Sequence, residues 1–222
     1  MELKRTSLVC ALLCAALTAC SDASHYSQAV AVLIDVSGTY ADQKADVARI
    51  VKREVLPALV PGDTIAIVRI DSESYQKANI EAFVTLDQRP SHANAQKLDL
   101  AKKLDAFALR GDRSQYTDIP GAMMLAGEYL RETGAKSRAI LLFSDMQSDL
   151  PPGTKRTFSE HEFDGIHIVA LNVKQLQPDN ANPDVLRSRL ATWEKEVTHA
   201  GAGGWQTFLD PAKLGPFLAE IR

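Results

Sequence analysis

The chain has 222 residues, a formal net charge of −3 and three cysteines. A weakly acidic protein lacks the basic face that phosphate binding requires, so the composition argues against nucleic acid as a partner. All three cysteines lie within the first 20 residues, so the rest of the chain has no cysteine with which to form a disulfide.

The N-terminal segment has the features of an export signal. Lys4 and Arg5 carry positive charge, and residues 8–17 form an almost unbroken apolar run. A membrane-spanning helix needs about 20 apolar residues, so this run is too short to span and fits the core of a signal peptide. We therefore predict a signal peptide over residues 1–19, which leaves about 200 residues for one domain.

The end of this apolar run indicates lipid attachment. Leu17-Thr18-Ala19-Cys20 resembles a bacterial lipobox, in which the cysteine is acylated, with palmitate among its chains, and becomes the mature N-terminus. The other interpretation is a buried N-terminal helix with a chance cysteine. By the sorting rule in which Asp after the cysteine retains a lipoprotein in the inner membrane, Ser21 favours the outer membrane. We expect an envelope protein facing the periplasm, with lipidated Cys20 and a short tether over residues 20–28.

Residues 29–222 alternate between strand and helix patterns. The apolar, β-branched run at 29–34 predicts a strand buried on both faces. Other strands are predicted at 64–70, 80–86, 139–143, 166–173 and 205–209, and the one at 80–86 has an edge or antiparallel pattern. Helices are predicted from about residue 42, at 93–109, 119–131 and 183–199, and at the C-terminus.

This alternation predicts βαβ crossovers and a mostly parallel sheet covered on both faces. We expect an α/β, Rossmann-like three-layer sandwich with one antiparallel edge strand. In the helix at 93–109 the predicted apolar stripe consists of Leu98, Ala101, Leu104, Ala108 and Leu109. In the helix that begins near residue 42, Lys44 is predicted on the polar face.

Oxygen-bearing side chains follow two of the buried strands and precede one helix. Asp35, Ser37 and Thr39 come directly after the first strand, with Gly38 permitting a tight turn. Thr117 precedes the helix at 119–131, and Asp145 follows the strand at 139–143. In parallel sheets such loops form the binding crevice, and hard oxygen ligands suit Mg²⁺.

These three pieces resemble the metal-ion-dependent adhesion site of von Willebrand factor A domains. The resemblance covers residues 29–222 and implies the von Willebrand A fold. It implies that Ser37, Thr39 and Thr117 are direct ligands, and that Asp35 and Asp145 act directly or through water. It also implies Mg²⁺, or Mn²⁺ or Ca²⁺, as the bound ion, and a protein partner that offers an acidic residue to it. The family implies binding, not catalysis.

Two positions depart from the family pattern. Ser114-Gln115-Tyr116 stands where many members have a glycine pair shortly before the threonine. Met146 follows Asp145, where many members have glycine, and a side chain there opposes any positive φ angle. Neither departure removes a ligand, but both affect the expected shape of the site's rim.

Other interpretations remain open at this point. In the alternative interpretation, Asp35 and Ser37 only cap the next helix, Asp145 and Ser144 only form a turn, and Thr117 or Asp118 is only an N-cap. The enzyme alternative is a Mg²⁺-dependent phosphohydrolase of the haloacid dehalogenase type, although that chemistry places a second carboxylate where Ser37 stands. A serine hydrolase fits less well, because Ser37 lacks the Gly-x-Ser-x-Gly elbow. A third possibility is a metal-free structural scaffold.

Overall fold

The computed structural model describes residues 27–38, 40–171 and 183–222. The predicted signal peptide, Cys20 and Thr39 lie outside the described residues. The strands are β1 (Gln28–Asp35), β2 (Thr64–Ile70), β3 (Ile80–Thr85), β4 (Ser137–Phe143), β5 (Ile166–Leu171) and β6 (Gly204–Phe208). They form a six-stranded sheet in the order β3-β2-β1-β4-β5-β6.

The α-helices are α1 (Lys44–Ile50), α2 (Pro90–Leu109), α3 (Ile119–Glu132), α4 (Pro183–His199) and α5 (Leu214–Glu220). Helix α1 is the centre of a longer helical segment. A 3₁₀ turn at Tyr40–Gln43 precedes it, and a π turn at Val51–Val55 and a 3₁₀ turn at Leu56–Ala58 follow it. In the described part of the chain, no helix is both long and apolar enough to cross a bilayer.

The pairing of the strands confirms the predicted topology. Strand β1 pairs in parallel with β2 and β4, and β5 pairs in parallel with β4 and β6. Only the pairing of β3 with β2 at the sheet edge is antiparallel among the described strands. The chain thus forms an α/β sandwich with a mostly parallel sheet and one antiparallel edge strand.

Alternate residues of β1 enter two separate apolar cores, which defines the three layers. Val30, Val32 and Ile34 pack on one face with side chains from α1, α2 and α5. Ala29, Ala31 and Leu33 pack on the other face with side chains from α3 and α4. Every residue of β1 is buried, as expected for a central strand with helices on both sides.

The structure corrects two predictions from the sequence pattern: where β1 begins, and which residues of α2 are buried. The sequence pattern places Gln28 in the tether, but it belongs to β1, where its side chain donates to the carbonyl of Leu218 at 2.9 Å. In α2 the predicted stripe is partly wrong, because Leu98 and Leu109 are 65% and 87% exposed. Leu104 is buried as predicted, and Leu100 and Phe107 complete the buried face with it, at helical spacings of four and three residues.

Lys44 was also predicted wrongly, since it is buried and not on a solvent-facing surface. Its ammonium group donates to the carbonyl of Arg110, and to the carbonyl and carboxylate of Asp112 at 3.2 and 3.1 Å. Lys44 lies three residues before the buried Val47, so helical spacing places it on the buried face of the segment, where it reaches the 110–112 loop.

The corrected stripe of α2 gives a direct test of the fold. Leu100→Ala should lower the free energy of unfolding by about 2–5 kcal/mol, because it removes a fully buried side chain and leaves a cavity. Leu98→Ala, the same change two residues away on the exposed face, should alter it by less than about 0.5 kcal/mol. Urea denaturation of both variants measures the difference, and equal losses would contradict the assigned faces of α2.

Candidate metal centre

The parallel pairing of β1 with β4 brings two acidic loops together. Ile34 lies opposite Phe143 in the register, so Asp35 at the end of β1 is next to Ser144, which follows β4. The hydroxyl of Ser144 donates to Oδ2 of Asp35 at 2.7 Å. The loop that carries Asp145 is thereby joined to the loop that carries Asp35.

Asp35 is held by the residues that follow it. Its Oδ1 accepts one hydrogen bond from the backbone N–H of Ser37 at 2.8 Å and another from the Ser37 hydroxyl at 2.6 Å. The carboxylate is completely buried. Among the described residues, no lysine, arginine or histidine forms an ion pair with it, so a buried negative charge would have only neutral donors.

The third loop joins the other two through Thr117. Its hydroxyl donates to Oγ of Ser37 at 2.5 Å, although 80 residues separate them in sequence. The backbone of Thr117 exchanges two hydrogen bonds with that of Asp149, at 2.7 and 3.0 Å, which ties it to the loop after β4. The backbone N–H of Ser114, in the same loop as Thr117, donates to the carbonyl of Val36 at 3.0 Å, which joins this loop to the one after β1.

Asp145 lies at the rim of this cluster and is 9% exposed. Its Oδ1 accepts from the backbone N–H of Gln147 at 2.8 Å, and the Ser144 hydroxyl accepts from that of Met146 at 3.0 Å. The turn that we considered as an alternative to a metal role is therefore present. Met146 has a φ of +62°, so the left-handed conformation occurs here without glycine.

The alternative capping roles have mixed outcomes. Asp118 does cap α3, since its carboxylate accepts from the backbone N–H of Gly121 at 2.8 Å. Ser37 contributes its carbonyl to the turn that starts the next helical segment, at 3.0 Å from the N–H of Tyr40. Its hydroxyl and the Asp35 carboxylate bond to each other, so neither side chain caps that segment.

The environment raises the pKa of the Asp35 carboxyl from 3.8 to about 6. Burial is the largest cause, because a charged carboxylate loses its hydration. Hydrogen bonds from Ser37 and Ser144 lower the pKa, while the negative charge of Asp145 raises it. Two carboxylates at the edge of the sheet thus repel each other, and a cation between them would relieve that repulsion.

The structure brings four of the five predicted ligands to one edge of the sheet. Asp35, Ser37, Thr117 and Asp145 come together, and Thr39 lies outside the described residues. Within the described part of the chain, no group of three or more His, Cys, Asp or Glu side chains is arranged to hold a metal. The donor set consists instead of two carboxylates and neighbouring hydroxyls, which suits a hard cation such as Mg²⁺.

Sequence reasoning missed three residues that shape the site. Ser144 was considered only for a turn, but it also donates to Asp35. Arg189 and Trp193 of α4 donate to the carbonyls of Asp145 and Met146, at 3.0 and 2.9 Å. The position of Ser144 directly before Asp145 was a sequence signal that its hydroxyl lies at the site. The contacts of Arg189 and Trp193 depend on how α4 packs, and no local sequence signal predicts them.

Comparison with known proteins supports the fold. No protein-family model and no curated protein sequence matches the chain. The pilus adhesin SpaC from Lactobacillus rhamnosus GG is 12% identical, with a TM-score of 0.51, over 88% of this chain and 29% of its own. A D319A mutant of the PilB minor pilin from Streptococcus sanguinis is 10% identical, with a TM-score of 0.51, over 89% of this chain and 61% of its own.

A von Willebrand factor type A structure from Catenulispora acidiphila is 16% identical over 89% of this chain and 42% of its own, with a TM-score of 0.43. The chain thus spans less than two thirds of the length of each of these three structures. At these identities, the likeness to the adhesin and the pilin is one of fold.

The raised pKa of Asp35 predicts how the stability of the metal-free protein depends on pH. Because the folded-state pKa lies above the unfolded value, this group stabilises the fold fully below about pH 4 and loses that contribution as the pH rises through about 6. A shift of about two units corresponds to about 3 kcal/mol.

Asp35→Asn should lack this contribution, since it cannot ionise. Denaturant unfolding in EDTA between about pH 4 and 7 measures the difference between the two proteins. We expect the free energy of unfolding of the wild type to fall relative to that of the variant over this range. Parallel pH profiles would contradict the assigned environment of Asp35.

Proposed function

We propose that this chain is a von Willebrand A-type binding domain that holds a divalent cation at the carboxyl edge of its sheet and captures an acidic residue of a protein partner. One observation carries the proposal. The hydroxyls of Ser37 and Thr117, from loops 80 residues apart, meet beside the buried Asp35 carboxylate and the charge of Asp145. Burial of the Asp35 carboxylate among neutral donors is costly unless a cation or a proton neutralises it.

The spacing of these oxygens suits Mg²⁺. Neighbouring ligands of an octahedral Mg²⁺ lie about 3 Å apart, since each bond is about 2.1 Å long. The hydroxyl oxygens of Ser37 and Thr117 are 2.5 Å apart, so a small outward shift lets both bind one ion. Asp35 and Asp145 would balance its charge, and Thr39 is a further ligand by the resemblance. Mn²⁺ and Ca²⁺ are the alternative ions.

The bound ion supplies a positively charged coordination position to which a partner's carboxylate can bind. Asp145 and Thr117 retain 9% and 7% of their surface exposed at the rim, so the partner's carboxylate would approach the ion from this side. Such a bond is directional and stronger than a surface ion pair between two side chains. The fold shared with a pilus adhesin and a minor pilin is in keeping with such protein–protein binding.

We further propose that the domain is exported and tethered to the bacterial envelope, at the outer membrane and facing the periplasm. The charged residues, apolar run and lipobox-like sequence of the first 20 residues support a signal peptide over 1–19 and acylation of Cys20. Several acyl chains on one residue make a durable anchor, since each buried methylene contributes about 0.8 kcal/mol.

Binding fits the site better than catalysis does. A nucleophilic Asp35 would need an exposed oxygen, but its carboxylate is completely buried and both of its oxygens accept hydrogen bonds. The Ser37 hydroxyl donates to that carboxylate, and no histidine of the described residues is hydrogen-bonded to it. Neither the phosphohydrolase nor the serine hydrolase alternative has an accessible nucleophile in this arrangement.

The first test is a metal titration of the melting temperature. Mg²⁺ at about 100 times its Kd should raise Tm by about 5–10 °C, because a ligand that binds only the folded state stabilises it. Asp145→Asn should lose most of this shift. Asp149→Asn should retain it, since Asp149 lies in the same loop but is exposed and contacts Thr117 through its backbone.

Equal melting temperatures of the wild type with Mg²⁺ and with EDTA would overturn the metal proposal and leave a structural scaffold. Equal shifts in the wild type and in Asp145→Asn would show that any ion binds elsewhere. Hydrolysis of phosphate esters that requires Mg²⁺ and is lost in Asp35→Asn would support the enzyme alternative instead.

The second test concerns the partner. Immobilised protein should retain at least one envelope protein from an extract in Mg²⁺ and release it in EDTA, because the metal bridges the two proteins. Asp145→Asn should not retain that protein, and Asp149→Asn should. The capture is measured by quantitative mass spectrometry. Retention that persists in EDTA would contradict a metal-bridged interface.

A further inference from the structure

Helix α4 contacts the proposed metal loop through two residues on the same face. Arg189 and Trp193 are four positions apart, which places them one turn apart along the helix. Nη1 of Arg189 donates to the carbonyl of Asp145 at 3.0 Å, and Nε1 of Trp193 donates to the carbonyl of Met146 at 2.9 Å. One turn of the helix therefore holds two consecutive carbonyls of the loop.

The loop needs such support because of its backbone conformation. Met146 has a φ of +62°, a left-handed conformation that is unfavourable for a residue with a side chain. Its side chain is buried, with 1% of its surface exposed, so the turn cannot relax by moving into solvent. Such a backbone conformation persists only where surrounding contacts stabilise it, and the hydrogen bonds from Arg189 and Trp193 provide such contacts.

The indole of Trp193 is well placed to fix this turn. The residue is only 6% exposed, and a buried indole N–H requires an acceptor, which the carbonyl of Met146 supplies. The ring also packs near Phe158, at 6.4 Å between ring centroids, so its orientation is defined by more than the hydrogen bond. The turn and the helix thus constrain each other.

We propose that Trp193 and Arg189 are positioning residues that hold Asp145 where its carboxylate can share a cation with Asp35, Ser37 and Thr117. This inference rests on the proposed metal binding. Trp193 acts through the backbone of the turn, Arg189 contacts both that backbone and the Gln147 side chain, and neither is proposed as a ligand. Groups that orient metal ligands change metal affinity about 10–100-fold when they are removed, so the effect is measurable.

The test compares two tryptophans. Trp193→Phe keeps an aromatic ring and removes the N–H, and it should weaken Mg²⁺ binding by about tenfold or more. Trp205→Phe is the same change on β6, at a half-buried position, and should leave the affinity unchanged. Isothermal titration calorimetry gives the Kd of each full-chain protein, at a temperature at which each is fully folded in EDTA.

A double-mutant cycle separates positioning from packing. Glycine adopts φ near +62° without steric cost, so in a Met146→Gly background the turn depends less on the indole. We expect Trp193→Phe to change the Kd by less than about threefold in that background. A role in packing alone would lower the melting temperature in EDTA equally in both backgrounds and leave the Kd for Mg²⁺ unchanged.

The outcomes are distinguishable. If the wild type and Trp205→Phe bind Mg²⁺ and Trp193→Phe binds it as tightly, the positioning role is wrong while the proposed metal site stands. If the wild type does not bind Mg²⁺, the proposed function fails and this inference fails with it. If Trp193→Phe weakens Mg²⁺ binding by the same factor with Met146 and with Met146→Gly, a role exerted through the turn would also be contradicted.

Discussion

The register of β1 against β4 is the constraint on which the candidate site depends. Parallel neighbours end at the same edge of a sheet, and the alignment of Ile34 with Phe143 places Asp35 beside the Ser144–Asp145 loop. A shift of one residue would turn Asp35 toward the other face and separate the two carboxylates. The strands that pair in this register also carry the apolar cores on both faces of β1, so the packing of the domain and the geometry of the site depend on the same pairing.

The site combines rigid support with unfavourable electrostatics. Three neutral donor groups hold the buried Asp35 carboxylate, and the nearby charge of Asp145 opposes its ionisation. The loops are joined by backbone pairing of Thr117 with Asp149 and by the contacts of α4 with the Asp145 turn. A buried Asp35 carboxylate that is held only by neutral donors is suited to a cation, and the proposed partner binding follows from the charge that such an ion would bring.

Much of the fold, and the convergence of four of the proposed ligands at one edge of the sheet, were predictable because their signals are local. Strand ends, apolar runs and the Asp35-Val36-Ser37 spacing can be read from neighbouring residues, and the pairing of parallel strands then brings distant loops together. The misassigned faces of Leu98 and Leu100 have a different origin, since the face that α2 buries depends on how the helix packs. Lys44 did have a local signal, its spacing of three residues from the buried Val47, which its charge outweighed in the prediction. The contacts of α4 with the Asp145 turn depend on tertiary packing, so the sequence did not predict them. The φ of +62° at Met146 was also not predictable, because residues with a side chain rarely adopt it.

Direct observation of the ion tests the central claim most closely. A crystal structure of the protein grown with Mn²⁺, with anomalous scattering recorded at the manganese edge, locates the metal independently of the protein atoms. We predict one strong anomalous peak within about 2.5 Å of the hydroxyl oxygens of Ser37 and Thr117, near the carboxylates of Asp35 and Asp145. An ordered site edge without such a peak at saturating Mn²⁺, or a peak only elsewhere on the molecule, would contradict the account.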